Sequence, residues 1–213
     1  MKDQIDSEQL EKEIRIYKEN PKDLYGEWFF RKLKRCHNWQ SWMGGQIKTV
    51  LNINSAVDIG CGLGYYLEGM NIPNVYGFEY MYDFAKPYLN DKGVSFVKYG
   101  NAMEKIECPV CDLSMSVECA EHILSEYSDV FVDNLTSLSR KYIFFTAAKP
   151  GQGGTGHINE QPMSFWLDKF SGRGFIINKE KEHELKVAFS KSNVATKYMN
   201  FIRRTFVLLE KHG

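Results

Sequence analysis

Residues 57–65 read VDIGCGLGY, an apolar run of strand character that ends in alternating glycines. Because glycine lacks a side chain, Gly60, Gly62 and Gly64 can form a tight turn and bring the backbone close to a ligand at the start of the next helix. The dinucleotide-binding fingerprint places a small residue five positions after its first glycine. Here that position is Tyr65, whose ring disfavours a wrapped pyrophosphate. The stretch predicts a nucleotide-type ligand without a pyrophosphate; a glycine turn with no ligand is the alternative.

The composition limits the classes of protein to which the chain can belong. Its 213 residues suffice for one domain with a full core, and 43% hydrophobic with 25% charged residues is ordinary for a globular protein. Lysine plus arginine equal aspartate plus glutamate at 27 each, so nucleic acid is a disfavoured partner. The start, MKDQIDSEQLEKE, lacks a signal-peptide core, and the five cysteines suit reduced thiols. We expect a cytoplasmic enzyme or binding protein with no membrane partner.

From Ser55 onward, short apolar runs alternate with segments of helical pattern. Seven runs are candidate strands: AVDIG, NVYGFEY, VSFVKYG, CDLSMSV, KYIFFTAA, GFIINKE and RTFVLLEK. The first five have the spacing of parallel strands joined by right-handed crossover helices. The last two, separated by a polar stretch, can close the sheet as a terminal pair. The pattern predicts one α/β domain over residues 51–213.

Residues 1–50 are predicted to form an N-terminal helical extension. A charged helix is expected over residues 7–19, capped by Ser7 and ended before Pro21, and residues 24–52 have helical character on both sides of Gly44-Gly45. The aromatic residues of this extension can form either a lid or part of the core: Trp28, Phe29, Phe30, Trp39 and Trp42. Its basic cluster can face either a phosphate-bearing acceptor or solvent: Arg31, Lys32, Lys34 and Arg35.

An acidic residue stands where the second predicted strand ends. Glu79 lies about twenty residues beyond the glycines, the spacing of the acidic ribose ligand in dinucleotide folds. A carboxylate there can accept hydrogen bonds from both ribose hydroxyls. A solvated glutamate is the alternative, and the spacing favours the ribose ligand.

These features together resemble the class I S-adenosylmethionine-dependent methyltransferases, which have a Rossmann-like fold. Their first motif, an acidic residue before G-x-G-x-G, is matched by Asp58 and the three glycines, and their acidic ribose ligand by Glu79. An acidic-plus-small pair follows their third strand and binds adenine. Here GNAME supplies Asn101 and Ala102, and Asn101 departs from the usual aspartate. The run CDLSMSVECAEHI resembles the family's D-x-x-x-x-x-x-V-x-E-H segment.

The resemblance implies a mostly parallel seven-stranded sheet with helices on both faces and an antiparallel last strand. It also implies S-adenosylmethionine as methyl donor and S-adenosylhomocysteine as product, with Tyr80 placed to pack against adenine. The cofactor-binding residues that it implies are Asp58, Gly60, Cys61, Gly62, Gly64, Glu79, Tyr80, Asn101, Ala102 and Val117.

The candidates for chemistry follow the fourth predicted strand. If a helix begins near Glu118, then Glu118, Glu121 and His122 lie at i, i+3 and i+4 on one of its faces. An imidazole with a pKa near 6.5 can act as a general base around neutrality. The catalytic candidates are His122, Glu118 and His157.

The same cluster permits a metal interpretation. Two carboxylates and an imidazole can bind a hard divalent cation such as Mg²⁺, with His157 as the fourth ligand. Similar E-x-x-E-H segments are metal ligands in the small-RNA 2′-O-methyltransferases and in some ubiquinone-pathway O-methyltransferases. In the other interpretation the acidic residues suit a helix N-terminus, and His122 is a base or a packed residue. No metal ligand is assigned from the sequence.

The segment KPGQGGTGHINEQP, which contains His157, follows the fifth predicted strand. Ligands of open parallel sheets sit beyond the carboxyl ends of the strands, so this glycine-rich loop is expected to be mobile and to border the acceptor. Pro162 suits the first turn of a helix over MSFWLDKF. Cys108 and Cys111 have the spacing of a metal knuckle, but a second cysteine pair is missing.

The sequence thus predicts methyl transfer from S-adenosylmethionine to a small-molecule or sugar acceptor, with oxygen favoured as the acceptor atom. A metal-assisted RNA 2′-O-methyltransferase and a non-catalytic S-adenosylmethionine-binding sensor or scaffold remain alternatives. A nicotinamide-dependent oxidoreductase is disfavoured by Tyr65.

Overall fold

The sheet of seven strands defines the architecture of the chain. A computed structural model describes residues 7–20, 26–192 and 197–212. Pro21 and residues 24 and 25 lie outside the described residues, as does the side chain of Ser7, so the predicted cap and stop of the first helix are not described. The strands are β1 Ser55–Ile59, β2 Asn74–Glu79, β3 Val97–Tyr99, β4 Cys111–Val117, β5 Ser139–Thr146, β6 Phe175–Ile177 and β7 Val207–Lys211.

The strand order is β3-β2-β1-β4-β5-β7-β6. The pairs among β1 to β5 are parallel, whereas β7 runs antiparallel to both of its neighbours, β5 and β6. All five residues of β1 are buried, as expected for a central strand covered on both faces. The predicted fold class, including the antiparallel last strand, is confirmed.

Helices cover both faces of the sheet. They are α1 Ser7–Glu19, α2 Glu27–Leu33, α3 His37–Leu51, α4 Tyr65–Met70, α5 Tyr82–Ala85, α6 Asp91–Phe96, α7 Ser128–Ser137, α8 Met163–Ser171, α9 Lys179–Ser190 and α10 Lys197–Thr205. The bounds predicted for α1 agree with the structure. No helix among the described residues is long and apolar enough to cross a membrane.

The core has two halves because neighbouring side chains of a strand point to opposite faces. On β5, Phe144 packs with α3, α4, α9 and α10, whereas Phe145 packs with α7 and α8. Trp39 is buried in the first half and Trp42 packs against it, so these two rings belong to the core rather than to a lid.

Close approach of α3 and α4 depends on a glycine. A Cβ atom on Gly44 would lie 2.0 Å from the carbonyl oxygen of Tyr66, which only a residue without a side chain avoids. Helix α3 continues through Gly44 and Gly45 without a break. The helical character predicted on both sides of this pair is confirmed.

Two of the observed strands are shorter than the apolar runs from which they were predicted. Residues 94–96 of VSFVKYG belong to α6, because the Asn90 side chain accepts a hydrogen bond from the Gly93 backbone N–H at 2.8 Å and caps a short helix there. In RTFVLLEK, α10 continues through Thr205 and the strand starts only at Val207. In both runs the apolar pattern includes the end of the preceding helix.

Candidate active site

The glycine loop lies where β1 ends, and its backbone explains the glycines. Gly60, Gly62 and Gly64 have φ angles of 76°, 57° and 73°, a left-handed region that side chains rarely adopt. Gly64 is the residue that precedes α4. The predicted strand, turn and helix are therefore formed as expected.

Other parts of the chain come very close to this loop. A Cβ atom on Gly60 would lie 2.3 Å from Cys119 Sγ, and one on Gly62 would lie 2.5 Å from Leu33 Cδ2. Leu33 ends α2, so the N-terminal segment lies over the loop. Tyr65 is buried beneath the glycine loop. The centroid of its ring lies 4.6 Å from the centroid of the His37 ring.

Glu79 connects the end of β2 to the glycine loop. Its Oε2 accepts a hydrogen bond from the Gly62 backbone N–H at 2.9 Å, and its Oε1 accepts one from the Met81 backbone N–H at 2.9 Å. Burial raises the pKa of this carboxyl group, and the two hydrogen bonds oppose the increase. The predicted ribose ligand is thus a buried, oriented carboxylate rather than a solvated one.

Asp58 is a second buried carboxyl group at this loop. The residue is 1% exposed, and its Oδ1 has no hydrogen-bond partner among the described residues. Burial, and then the charge of Glu79, raise its pKa to about 8. A buried carboxyl group without a partner is costly unless a proton or a cation neutralises it.

The remaining predicted cofactor residues lie at the ends of the neighbouring strands. The Tyr80 ring lies 6.1 Å from that of Tyr99, between centroids. Asn101 Oδ1 accepts a hydrogen bond from the Met103 backbone N–H at 3.0 Å, which orients the amide in its turn. Cys61 and Ala102 are buried, and Val117 is the last residue of β4.

No helix begins at Glu118, so the helical arrangement considered for Glu118, Glu121 and His122 does not form. Glu118 has φ of 51°, and only a single 3-10 turn, Ala120–His122, follows it. Thr146 at the end of β5 fixes this conformation, because its Oγ1 accepts from the Glu118 backbone N–H at 2.9 Å and donates to Glu118 Oε1 at 2.7 Å. Strained backbone of this kind is frequent at functional sites.

Glu118 is also held by the loop after β5. Its Oε2 accepts a hydrogen bond from Gln152 Nε2 at 3.1 Å. Burial, and next the charge of Glu121, raise the pKa of Glu118 to about 7.

Glu121, His122 and His157 come together despite the missing helix. Glu121 Oε1 lies 4.0 Å from His122 Nε2 and 4.0 Å from His157 Nε2. The two imidazole rings meet edge to face, with centroids 5.0 Å apart. Partial burial lowers the pKa of His122 to about 4, while 23% of its side chain stays exposed.

Glu160 orders the glycine-rich loop that had been expected to be mobile. Its carboxylate accepts hydrogen bonds from the backbone N–H groups of Gly151 and Gly153, both at 2.7 Å, and lies 2.9 Å from His157 Nδ1. The sequence indicated that Glu160 borders the acceptor but not that it organises this loop.

Helix α1 contributes residues that the sequence analysis missed. Tyr17 is buried and packs with Leu124 and Ile158, beyond the ends of β4 and β5. Burial raises the pKa of Tyr17, and the nearby ionisable groups of Cys119, Tyr80 and Glu79 add to the increase. The only signal in the sequence was an apolar face on a charged helix, which does not name its partner.

Two further groups of sequence candidates make none of the contacts described above. Cys108 and Cys111 are free thiols, and burial raises their pKa values to about 11 and about 12, so neither is a ready thiolate. The basic cluster on and after α2 is exposed to solvent: Arg31, Lys32, Lys34 and Arg35.

No protein-family model and no curated protein matches the sequence. Solved structures share its fold. An S-adenosylmethionine-dependent methyltransferase from Clostridium acetobutylicum has a TM-score of 0.60 at 10% identity, over 87% of this chain and 97% of its own. The magnesium protoporphyrin IX methyltransferase of Synechocystis, with bound SAH, has a TM-score of 0.57 at 13% identity, over 92% and 100%. The [4+2]-cyclase SpnF has 0.53 at 13%, over 81% and 80%. These similarities establish the fold alone, which also supports other chemistry.

Proposed function

We propose that this chain, which has the fold of the class I S-adenosylmethionine-dependent methyltransferases, transfers a methyl group from S-adenosylmethionine to an oxygen of a small-molecule or sugar acceptor. The observation that carries the proposal is the pair of buried carboxyl groups, Asp58 and Glu79, at the left-handed glycine loop.

Both carboxyl groups fit a nucleoside ligand that carries a positive charge. Each Glu79 oxygen accepts one backbone hydrogen bond and keeps a further lone pair for a ribose hydroxyl. Asp58 Oδ1 lacks a partner among the described residues, and a cationic amino group of the ligand would supply one. A ligand with a diphosphate would instead add negative charge beside two acidic residues.

The acceptor side supports transfer to oxygen. When bound, the donor supplies a methyl group on a positively charged sulfur, and orientation of the two reactants can contribute about 7–11 kcal/mol. An attacking hydroxyl must also lose its proton. Glu118, held by Thr146 and Gln152, has a pKa of about 7 and is better matched to this task than His122, with a pKa of about 4. We assign Glu118 as the base.

Thermal unfolding with added ligand tests the cofactor. At a hundred times its dissociation constant, S-adenosylhomocysteine should add about 2.7 kcal/mol to the free energy of unfolding. For a domain of this size the midpoint then rises by about 5–10 °C. A shift with NAD and none with S-adenosylhomocysteine would overturn the assignment. Glu79→Ala should abolish the shift, and Glu121→Ala should preserve it.

Transfer of radiolabelled methyl groups to a library of hydroxylated small molecules and sugars tests the reaction. We expect label in an acceptor with the wild-type protein and a large loss with Glu118→Gln. Cofactor binding without transfer to any acceptor would instead favour a sensor or scaffold.

An RNA 2′-hydroxyl is the second candidate acceptor. The observation that favours it is the exposed basic cluster, Arg31, Lys32, Lys34 and Arg35, because α2 lies over the glycine loop and could bring RNA phosphates near the site. Saturable binding of a short RNA that disappears when these four residues are changed to Ala, together with label in its ribose, would replace the small-molecule proposal.

A further inference from the structure

We propose that Glu121, His122 and His157 form a binding site for one divalent first-row transition metal ion, such as Mn²⁺, Fe²⁺, Co²⁺ or Zn²⁺. One ligand atom of each residue lies within 4.8 Å of the others. This inference rests on the proposed function, because the site would hold acceptor oxygens next to Glu118.

The hydrogen bonds of the two histidines determine which nitrogen can bind a metal. His122 Nδ1 lies 2.8 Å from the carbonyl oxygen of Gly156, which can only accept, so this nitrogen carries the proton. His157 Nδ1 donates in the same way to Glu160 Oε1 at 2.9 Å. In each neutral ring the lone pair is then on Nε2, and both Nε2 atoms lie 4.0 Å from Glu121 Oε1.

Such partners at the second ring nitrogen are the usual support of metal-binding histidines. Without a cation, two nitrogen lone pairs would face a carboxylate, and that arrangement is repulsive unless one of these groups takes up a proton. A cation between the three ligand atoms makes the interaction attractive while each of them stays unprotonated. The geometry therefore suits a metal ion held by Glu121 Oε1 and the two Nε2 atoms.

Glu121 is the strongest single indication. Its side chain is 1% exposed, and neither of its oxygens has a hydrogen-bond partner among the described residues. The backbone N–H groups of Glu121 and Ala148 are near enough to favour the charged form, but neither makes a hydrogen bond of good geometry. A carboxylate buried in this way requires a proton or a cation.

The backbone holds the three residues together. The carbonyl oxygen of Glu121 accepts hydrogen bonds from the N–H groups of Ile158 and Asn159, both at 3.0 Å. These bonds fix the 3-10 turn beside the loop that carries His157. Neighbouring ligand atoms on a metal lie about 3 Å apart for bonds of about 2.0–2.2 Å, so the side chains need to close by about 1–1.5 Å.

Gly154 leaves room for the imidazole. A Cβ atom at this position would lie 2.3 Å from His157 Nε2. Any other residue would push the ring away from its place beside Glu121. The glycine is thus part of the site, although it provides no ligand atom.

The ligand set indicates the class of metal. Two imidazoles and one carboxylate suit first-row transition metals, whereas Mg²⁺ and Ca²⁺ prefer oxygen ligands. Glu118 is already engaged by Thr146 and Gln152 and is not needed as a ligand. Three protein ligands leave positions open for other donors. These positions suit an acceptor with two neighbouring oxygen atoms, which the metal would orient and make easier to deprotonate.

Titration of the chelator-treated protein with Co²⁺, without cofactor or acceptor, tests the site. We expect one equivalent to bind, with visible absorption bands of Co²⁺ coordinated by nitrogen and oxygen. Glu121→Gln and His157→Asn each remove a ligand and should weaken Co²⁺ binding by at least about 10-fold. Glu160→Gln removes the hydrogen-bond partner of a ligand and should weaken binding by about 10-fold. His183→Asn, on the exposed surface of α9, is the matched control and should bind as the wild type does.

Gly154→Ala is the second variant, because it displaces the His157 ring without removing a ligand residue. We expect this variant to fold and to bind Co²⁺ more weakly than the wild type. Its unfolding midpoint should rise with S-adenosylhomocysteine as much as that of the wild type. No saturable binding of Co²⁺ or Mn²⁺ by the wild type, equal binding by Glu121→Gln, or tighter binding of Mg²⁺ than of Co²⁺ would overturn the proposal. The shift with S-adenosylhomocysteine tests the proposed function separately, since it needs no metal.

Discussion

Glu13 Oε2 accepts a hydrogen bond from the Gly156 backbone N–H at 2.9 Å, although 143 positions separate the two residues. The carbonyl oxygen of Gly156 in turn accepts the Nδ1 proton of His122 at 2.8 Å. Helix α1 is therefore connected to His122, on the acceptor side, through the backbone of one residue of the glycine-rich loop, Gly156.

Removing this contact should loosen the loop and leave cofactor binding intact. A hydrogen bond to a charged group contributes about 1.5–3 kcal/mol, so Glu13→Ala should speed hydrogen exchange in residues 151–160 by about 10-fold or more. The acceptor KM should rise, and the affinity for S-adenosylhomocysteine should not change. Glu11→Ala, at an exposed position of the same helix, is the control. Unchanged exchange in the Glu13 variant would contradict a role of α1 in ordering the loop.

We expect Glu118 to be required for methyl transfer and to lower the free energy of unfolding. Its φ is 51°, a conformation that destabilises a residue with a side chain by about 1–2 kcal/mol. Glycine at this position would recover part of that free energy. We expect Glu118→Gly to raise the free energy of unfolding by about 0.5–1 kcal/mol and to abolish methyl transfer. Denaturant unfolding and the radiolabel assay measure both effects.

Asn71, exposed and with φ of 50°, provides a matched control for that variant. Asn71→Gly should leave transfer unchanged and alter stability little, because asparagine tolerates this conformation. Loss of stability in Glu118→Gly would show that the hydrogen bonds of its side chain outweigh the strain of its backbone.

Asp58 should make stability depend on pH. Its pKa is about 8 in the folded chain, against 3.8 for the ordinary group, so between about pH 4 and pH 8 the folded state holds a proton that the unfolded chain releases. The free energy of unfolding therefore falls as pH rises through this window. Asp58→Asn should raise Tm at pH 8 by at least about 2–4 °C, the effect of 1 kcal/mol, and leave Tm near pH 4 unchanged. A Tm difference that is the same at every pH would show that burial does not neutralise this group.

Glu79 should be needed as a carboxylate and not only as a hydrogen-bonding side chain. Glutamine offers one acceptor oxygen and would turn an N–H₂ group toward the backbone N–H of either Gly62 or Met81. We expect Glu79→Gln to lower the free energy of unfolding by about 1–3 kcal/mol. Calorimetry should show at least tenfold weaker binding of S-adenosylhomocysteine, whereas Glu107→Gln, on the surface, should match the wild type. Lower stability with unchanged affinity would confine Glu79 to a structural role.

The parallel direction of the first five strands was predictable because each is an apolar run followed by a connecting segment, whereas their order in the sheet was not predicted. Residues 100–110, between β3 and β4, contain no helix, so the crossover helix predicted there does not form. The glycines around Gly62 and the acidic residue at the end of β2 were likewise local signals. The helical arrangement considered for Glu118, Glu121 and His122 was also suggested by a local pattern, their spacing. Thr146, 28 positions away, instead holds Glu118 in a left-handed conformation.

Long-range contacts account for the rest of what sequence reasoning missed. The glycines of the loop after β5 suggested mobility, whereas Glu160 binds two of their N–H groups. Neither the contact of Glu13 with Gly156 nor the packing of Tyr17 leaves a local pattern, because each pairs distant segments.

The position of β7 has a consequence for the growing chain. A ribosome adds about 5–20 residues per second, and Val207–Lys211 are among the last residues of the sheet that it makes. Until they emerge, Tyr142–Phe145 of β5 form an open edge, and β6 lacks the strand that joins it to the sheet. Open edges pair readily with other chains. Synthesis that stops before Val207 should therefore release a product that aggregates, however complete its glycine loop and acidic residues are.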